Sequence, residues 1–134
     1  MTECTQYSLG FQSLKRRKVE AEFSGGDITS DGGVLLLREM DRRLGLLAAV
    51  DRVLQDERDR SKVVHSQLSL LQQRVYGLCL GYEDLNDHQT LRHDPAIQTA
   101  VNRLSPLASQ STLCRLENRA DKKALFAVHE VMLQ

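Results

Sequence analysis

Apolar residues along most of the chain recur with a helical period. From Val34 to Leu44 the positions Val34, Leu37, Met40 and Leu44 stand three or four apart, Glu39 and Arg43 pair one turn apart, and Gly45 suits a left-handed stop. Ser30 or Asp31 is placed to accept hydrogen bonds from the free amides of a helix starting near Gly32 or Gly33. Leu46, Leu47, Val50, Val53 and Leu54 mark a second amphipathic helix. It runs into Asp56-Glu57-Arg58-Asp59-Arg60, which reads as a solvated link because no core accepts such charges unpaired. Residues 67–80 give the clearest buried helix, with Leu68, Leu71, Val75 and Leu78 along one face and Leu70, Cys79 and Leu80 widening it. Ser66 is its cap and Gly81 its end.

The second half breaks into shorter pieces. Glu83-Asp84-Leu85-Asn86-Asp87 is a polar turn, a short helical segment holds Leu91, and Asp94-Pro95 reads as an N-cap with proline at the first helical position, predicting a helix through Arg103. After Leu104-Ser105-Pro106-Leu107 a further helix carries Leu113 and Leu116, so the spacing predicts a helix-turn-helix-like pair over residues 95–119, closed by a tight turn. A last helix over 121–134 places Leu125, Val128 and Met132 on one face, and the absence of an exit glycine or proline reads as a truncated chain. Only near residues 18–24, where Val19-Glu20-Ala21-Glu22-Phe23 alternates, does a period of two predict a short β-strand, ended by Gly25-Gly26-Asp27. The expected class is therefore mainly α, with an N-terminal arm over 1–30 and a helical region over 31–134.

Composition narrows the function. With 18 Lys and Arg against 18 Asp and Glu the 134-residue chain has no net charge, which excludes a histone-like or polybasic protein. Cys4, Cys79 and Cys114 form no paired motif and are odd in number, so a disulfide framework and a zinc finger are both disfavoured. No stretch approaches the roughly 20 apolar residues of a membrane span, and no signal-peptide pattern opens the chain; a cytoplasmic protein is expected.

Candidate chemistry is sparse. Glu83, Asp84, Asp87 and Asp94 have the oxygens that Mg²⁺ prefers, but they lie in a turn and at a helix cap, where such residues have backbone amides to hold. His88 and His93 are off the spacing that puts two ligands on one helical face. No nucleophile elbow or phosphate-binding loop is present, so the expected catalytic and metal sets are empty. Residues 110–119 are more informative. As the second helix of a helix-turn-helix they are expected to turn Leu113 and Leu116 inward, to let Ser111 and Thr112 reach phosphates, and to let Gln110, Arg115, Asn118 or Arg119 face a DNA groove. From Arg103 to Lys123 the bases are Arg103, Arg115, Arg119, Lys122 and Lys123 and the acids only Glu117 and Asp121. The run Lys15-Arg16-Arg17-Lys18 is a second candidate phosphate contact.

Five segments carry a resemblance in their order along the chain: Val19-Glu20-Ala21-Glu22-Phe23-Ser24-Gly25-Gly26, Ser30-Asp31-Gly32-Gly33-Val34-Leu35-Leu36-Leu37-Arg38-Glu39-Met40-Asp41, Gly81-Tyr82-Glu83-Asp84-Leu85-Asn86-Asp87, Leu91-Arg92-His93-Asp94-Pro95 and residues 108–118. Together they resemble the N-terminal region of bacterial insertion-sequence transposases of the DDE type, in the group called insertion-sequence thirteen-eighty. The resemblance implies a helical region that handles transposon ends, ahead of an RNase H-like domain whose three carboxylates hold two Mg²⁺ ions. In that family the first catalytic Asp follows a strand beyond the matched region. The expectation is thus a DNA-binding, catalytically inactive chain whose partner is the double-stranded DNA of transposon ends. Mg²⁺ is expected only in the missing domain, and homodimer formation is left open. The alternative is a dimerisation or domain-packing scaffold without direct DNA contact; an independent repressor fits less well.

Overall fold

The computed structural model describes residues 8–21 and 30–133. Two strands, β1 (Leu9–Leu14) and β2 (Arg17–Ala21), form an antiparallel hairpin. Seven helices follow: α1 (Val34–Leu44), α2 (Leu46–Val53), α3 (Gln67–Cys79), α4 (His88–Leu91), α5 (Pro95–Ala100), α6 (Gln110–Asn118) and α7 (Lys122–Met132), with 3-10 turns at Arg60–Lys62 and Leu85–Asp87. The mainly helical class holds. The strand expected near 18–24 is β2 over its described part, but it is half of a hairpin; residues 22–24 and the Gly25-Gly26-Asp27 turn lie outside the described residues. β1 escapes a period-two search because its register shifts between Phe11 and Leu14, so both side chains pack inward although they are an odd number of residues apart.

Gly45, at φ 65°, ends α1 and leads directly into α2. The Asp41 carboxylate fixes this corner: Oδ1 accepts the Leu47 amide at 2.9 Å, and Oδ2 accepts the Tyr76 hydroxyl at 3.0 Å. Burial, and after it the Asp41 charge and this hydrogen bond, push the Tyr76 phenol well above its ordinary range. At the start of α1 the N-cap is Gly33, while Asp31 accepts the Tyr82 hydroxyl.

In three helices the buried face is rotated from the expected one. α1 buries Val34, Leu35 and Arg38, leaving Met40 and Leu44 on the surface. Arg38 goes inside because its guanidinium donates to the Gln12 carbonyl and to Asn102 Oδ1, each at 3.1 Å. α3 buries Gln67, Ser69, Leu70, Gln72, Gln73, Tyr76 and Gly77, and Leu78 is exposed. Its amides also have partners: Gln67 reaches the Leu54 carbonyl at 3.0 Å and Gln72 reaches Asp41 at 3.4 Å. α7 packs on α2 through half-buried Ala124, Ala127, Val128 and Val131, with Leu125 and Met132 outward.

α3 separates two apolar clusters. The larger joins Val19, Val34, Leu35, Leu47, Tyr76, Leu91, Ile97, Ala100, Val101 and Leu107; the smaller is Leu70, Ala108 and Leu113, with Leu85 and Leu116 against it. The hairpin and α5 belong to the first, and α6 belongs to the second.

α5 begins as the sequence predicts, with Asp94 Oδ1 accepting the amides of Ala96 and Ile97. It ends at Ala100 rather than Arg103. Asn102 takes a left-handed φ of 61°, and the Asn102 and Arg103 amides turn back to the Thr99 and Gln98 carbonyls in a Schellman closure. The chain then runs through the interior, where Leu107 and Ala108 are fully buried. Residues 101–109 thus replace the expected tight turn, and the partners differ: α5 lies on α1, whereas α6 lies on α3 and the 85–87 turn. This corrects the helix-turn-helix-like pairing over 95–119.

Candidate nucleic-acid interface

α6 is the helix the sequence singles out, and the structure holds it at both ends. At its start Gln73 of α3 pairs with the Ala108 peptide: Nε2 donates to the carbonyl at 2.9 Å and Oε1 accepts the amide at 3.0 Å. At its end Glu117 pairs with Arg74 of α3, whose guanidinium also donates to the Tyr82 and Glu83 carbonyls. Arg119, the C-cap, donates to Asp56 at 3.0 Å. Between the ends Leu113 is fully buried and Leu116 packs beside it.

Asp56 belongs to the stretch predicted as a solvated link. Its residues are largely exposed, as expected, but they are tied together: Arg58 donates to both Asp56 oxygens, at 2.7 and 2.6 Å, and to the His65 carbonyl at 2.9 Å. The Arg58 hydrogen bonds hold the Asp56 carboxyl far below the usual carboxylate range.

The remaining α6 side chains look outward or along the helix. Ser111, Arg115, Asn118 and Arg119 are exposed; Gln110 and Thr112 are half-buried. Ser109 Oγ lies 3.1 Å from both the Ser111 and Thr112 hydroxyls instead of capping the backbone, so the first-turn amides have no side-chain acceptor. Asn118 donates to Cys114 Sγ at 3.4 Å. Arg115 has no hydrogen bond or ion pair among the described residues. Of the neighbouring charges, Arg103 is held by the Val64 carbonyl and Ser105, Asp121 caps α7 at the Ala124 amide, and Lys122 and Lys123 are exposed. With Glu117 and Arg119 each in an ion pair, the unpaired charge on this surface is positive.

The basic run on the hairpin is split. Lys15, at φ 53°, and Arg16 form the turn, Arg17 donates to Thr99 Oγ1 of α5 at 3.1 Å, and Lys18 pairs with Glu20 at 2.6 Å. No hydrogen bond or ion pair among the described residues links this run to α6.

The acidic group has other duties. Asp84 accepts the Asn86 amide and side chain, which lowers its pKa, and Asp94 caps α5. Among the described residues no three His, Cys, Asp or Glu side chains are grouped so that they could hold a metal ion.

Gln73 and Arg74 were not singled out by sequence reasoning, Asp56 and Arg58 entered it only as part of a solvated link, and His88 only as a histidine off metal-ligand spacing. The one signal was that Gln73 and Gly77 stand one turn apart on the same face of this helix. His88 is fully buried against Gly77, where an added Cβ would stand 2.8 Å from the ring Cε1, so this close approach requires glycine.

No curated protein and no solved structure matches the chain. The sequence pattern of one family does, over residues 11–134, covering the hairpin from Phe11 onward and the seven helices of the described residues. The chain therefore belongs to the family described as transposase DDE domain group 1.

Proposed function

We propose that this region binds the double-stranded DNA of transposon ends in the cytoplasm, as part of a DDE transposase of the insertion-sequence thirteen-eighty group. α6 is the reader. Gln110, Ser111, Arg115 and Asn118 meet the DNA, Thr112 supports the first turn, and Lys15 and Arg16 add phosphate contacts from the hairpin. Arg17 and Lys18 contribute after exchanging their present partners, and so does Arg119, the Arg74–Glu117 pair then holding the end of α6 alone. The observation that carries the reading is the mounting of α6: both ends are tied by side chains from elsewhere, Leu113 is buried, and Arg115 is left outward and unpaired. A rigidly held helix loses little backbone entropy on docking in a groove, and an arginine without an ion-pair partner has no bond to break first.

The carboxylates that perform strand cleavage lie, in this reading, outside the acidic residues described here, several of which are occupied in caps and ion pairs. The purified chain then shifts a transposon-end duplex in a mobility assay more strongly than a random duplex, loses affinity steeply with salt, and nicks neither with Mg²⁺ or Mn²⁺. Equal, salt-insensitive binding to both duplexes, or none, contradicts the first part; metal-dependent nicking contradicts the second. A scaffold role is favoured by a separate observation, the exposed stripes Leu36, Met40 and Leu44 on α1 and Leu125, Phe126 and Met132 on α7. It predicts self-association by sedimentation and no DNA shift.

A further inference from the structure

We propose that Gln73 is the positioning residue of α6, setting where the helix begins and so where Arg115 points, with His88 as its backing. This deepens the DNA-binding reading above and rests on it.

The geometry leaves the carboxamide one orientation. A peptide N–H only donates and a carbonyl only accepts, so the Ala108 peptide requires Oε1 on its amide side and Nε2 on its carbonyl side. The second Nε2 hydrogen is then directed at His88 Nδ1, 3.4 Å away. Nδ1 must therefore be the bare nitrogen, which makes His88 the neutral tautomer protonated at Nε2. Burial, and secondarily the Arg74 charge, hold its pKa below the ordinary value, in agreement with that state. The Nε2 side faces Gly77 and has no hydrogen-bond partner among the described residues. A buried, unsatisfied nitrogen is costly, and here it accompanies a ring that blocks Gln73 from swinging away. Gln73 itself is 1% exposed, and Ala108 immediately precedes the N-cap Ser109. Fixing the Ala108 amide and carbonyl, which belong to the two peptide groups flanking its Cα, fixes the phase of the first turn, and the direction of Arg115 follows from that phase.

The test combines Gln73→Met with Arg115→Ala in the full chain. Amide hydrogen exchange at Ala108 is read by NMR, and affinity is read on transposon-end and random duplexes. Gln73→Met is expected to speed Ala108 exchange at least about tenfold over that of Ile97. It should weaken end-duplex binding by about tenfold in the parent, but by only about threefold in the Arg115→Ala background, because most of its effect passes through Arg115 and the rest through Gln110, Ser111 and Asn118. A general loss of stability would not show that dependence. Unchanged Ala108 exchange, unchanged end-duplex affinity, or an equal loss in both backgrounds overturns the positioning role. If Arg115→Ala alone leaves binding untouched, the DNA reading itself falls and takes the positioning role with it. Should Gln73→Met fail to fold, His88→Leu serves instead: it removes the acceptor for the second Nε2 hydrogen, and the same Arg115-dependent loss, smaller in size, is expected.

Discussion

α5 and α6 are both short helices opened by a polar residue, yet they are held in opposite ways. α5 buries Ile97, Gln98, Thr99 and Ala100 and is capped by its own neighbours, Asp94 and Asn102. α6 buries only Leu113 and is held by Gln73, Arg74 and Asp56, none of them near it in sequence. A helix enclosed on most sides has no face to offer. One anchored by a single leucine and tied at its ends keeps most of its surface free while its position stays defined. In this protein polar tethers, rather than apolar burial, present a helix.

The sharpest way to break that comparison is to truncate the apolar anchor of each helix. Leu113→Ala and Ile97→Ala should each cost about 2–5 kcal/mol by denaturant unfolding, since both side chains are essentially fully buried. Only Leu113→Ala should also weaken DNA binding by the molecules that remain folded. Equal binding by both variants would mean that α6 is not the presented helix.

A smaller effect comes from protons. His88 and His65 both have folded-state pKa values lowered from 6.5, chiefly by burial, so the unfolded chain takes up protons first. The stability they permit is complete above pH 6.5 and declines as pH falls from 6.5 through the folded-state values. His88→Asn, which keeps an acceptor at the Nδ1 position, should flatten that acid slope in urea melts, leaving the part due to His65. An unaltered slope would remove His88 from the account.

The surface tether should matter least to stability. Asp56→Asn is expected to cost no more than about 1 kcal/mol, because the Arg58 and Arg119 pairs are partly solvated. The Asp56 contribution is present above the ordinary carboxylate value of 3.8 and is lost as pH falls below it, so the parent and variant melts should converge in acid. Phe126→Ser, on the exposed face of α7, should shift stability by no more than about 0.5 kcal/mol.

Local signals were legible in the sequence and remote ones were not. Gly45, Ser66 and Asp94-Pro95 act on their own neighbours, and each stops or starts a helix where its chemistry says it must. The inward turn of Leu113 and Leu116 followed from spacing alone. Buried faces depended on partners far along the chain. Arg38 could be buried only because Gln12 and Asn102 come to it, and Gln73 only because Ala108 does, 35 residues away. Their polarity, read locally, pointed to solvent. The tight turn before α6 failed for a related reason: Leu107 and Ala108 look like loop until both clusters are seen to need them. Likewise Asp56, a surface charge in isolation, is a tether to a residue 63 positions on.

The central claim is that α6 reads DNA, and Arg115→Ala tests it most directly. Affinity for a transposon-end duplex and for a random duplex would be measured across a salt series, with a thermal melt to confirm that the variant is folded. The account predicts a loss of about 1–3 kcal/mol on the end duplex and little on the random one. Unchanged binding to both duplexes by a folded Arg115→Ala protein would contradict it.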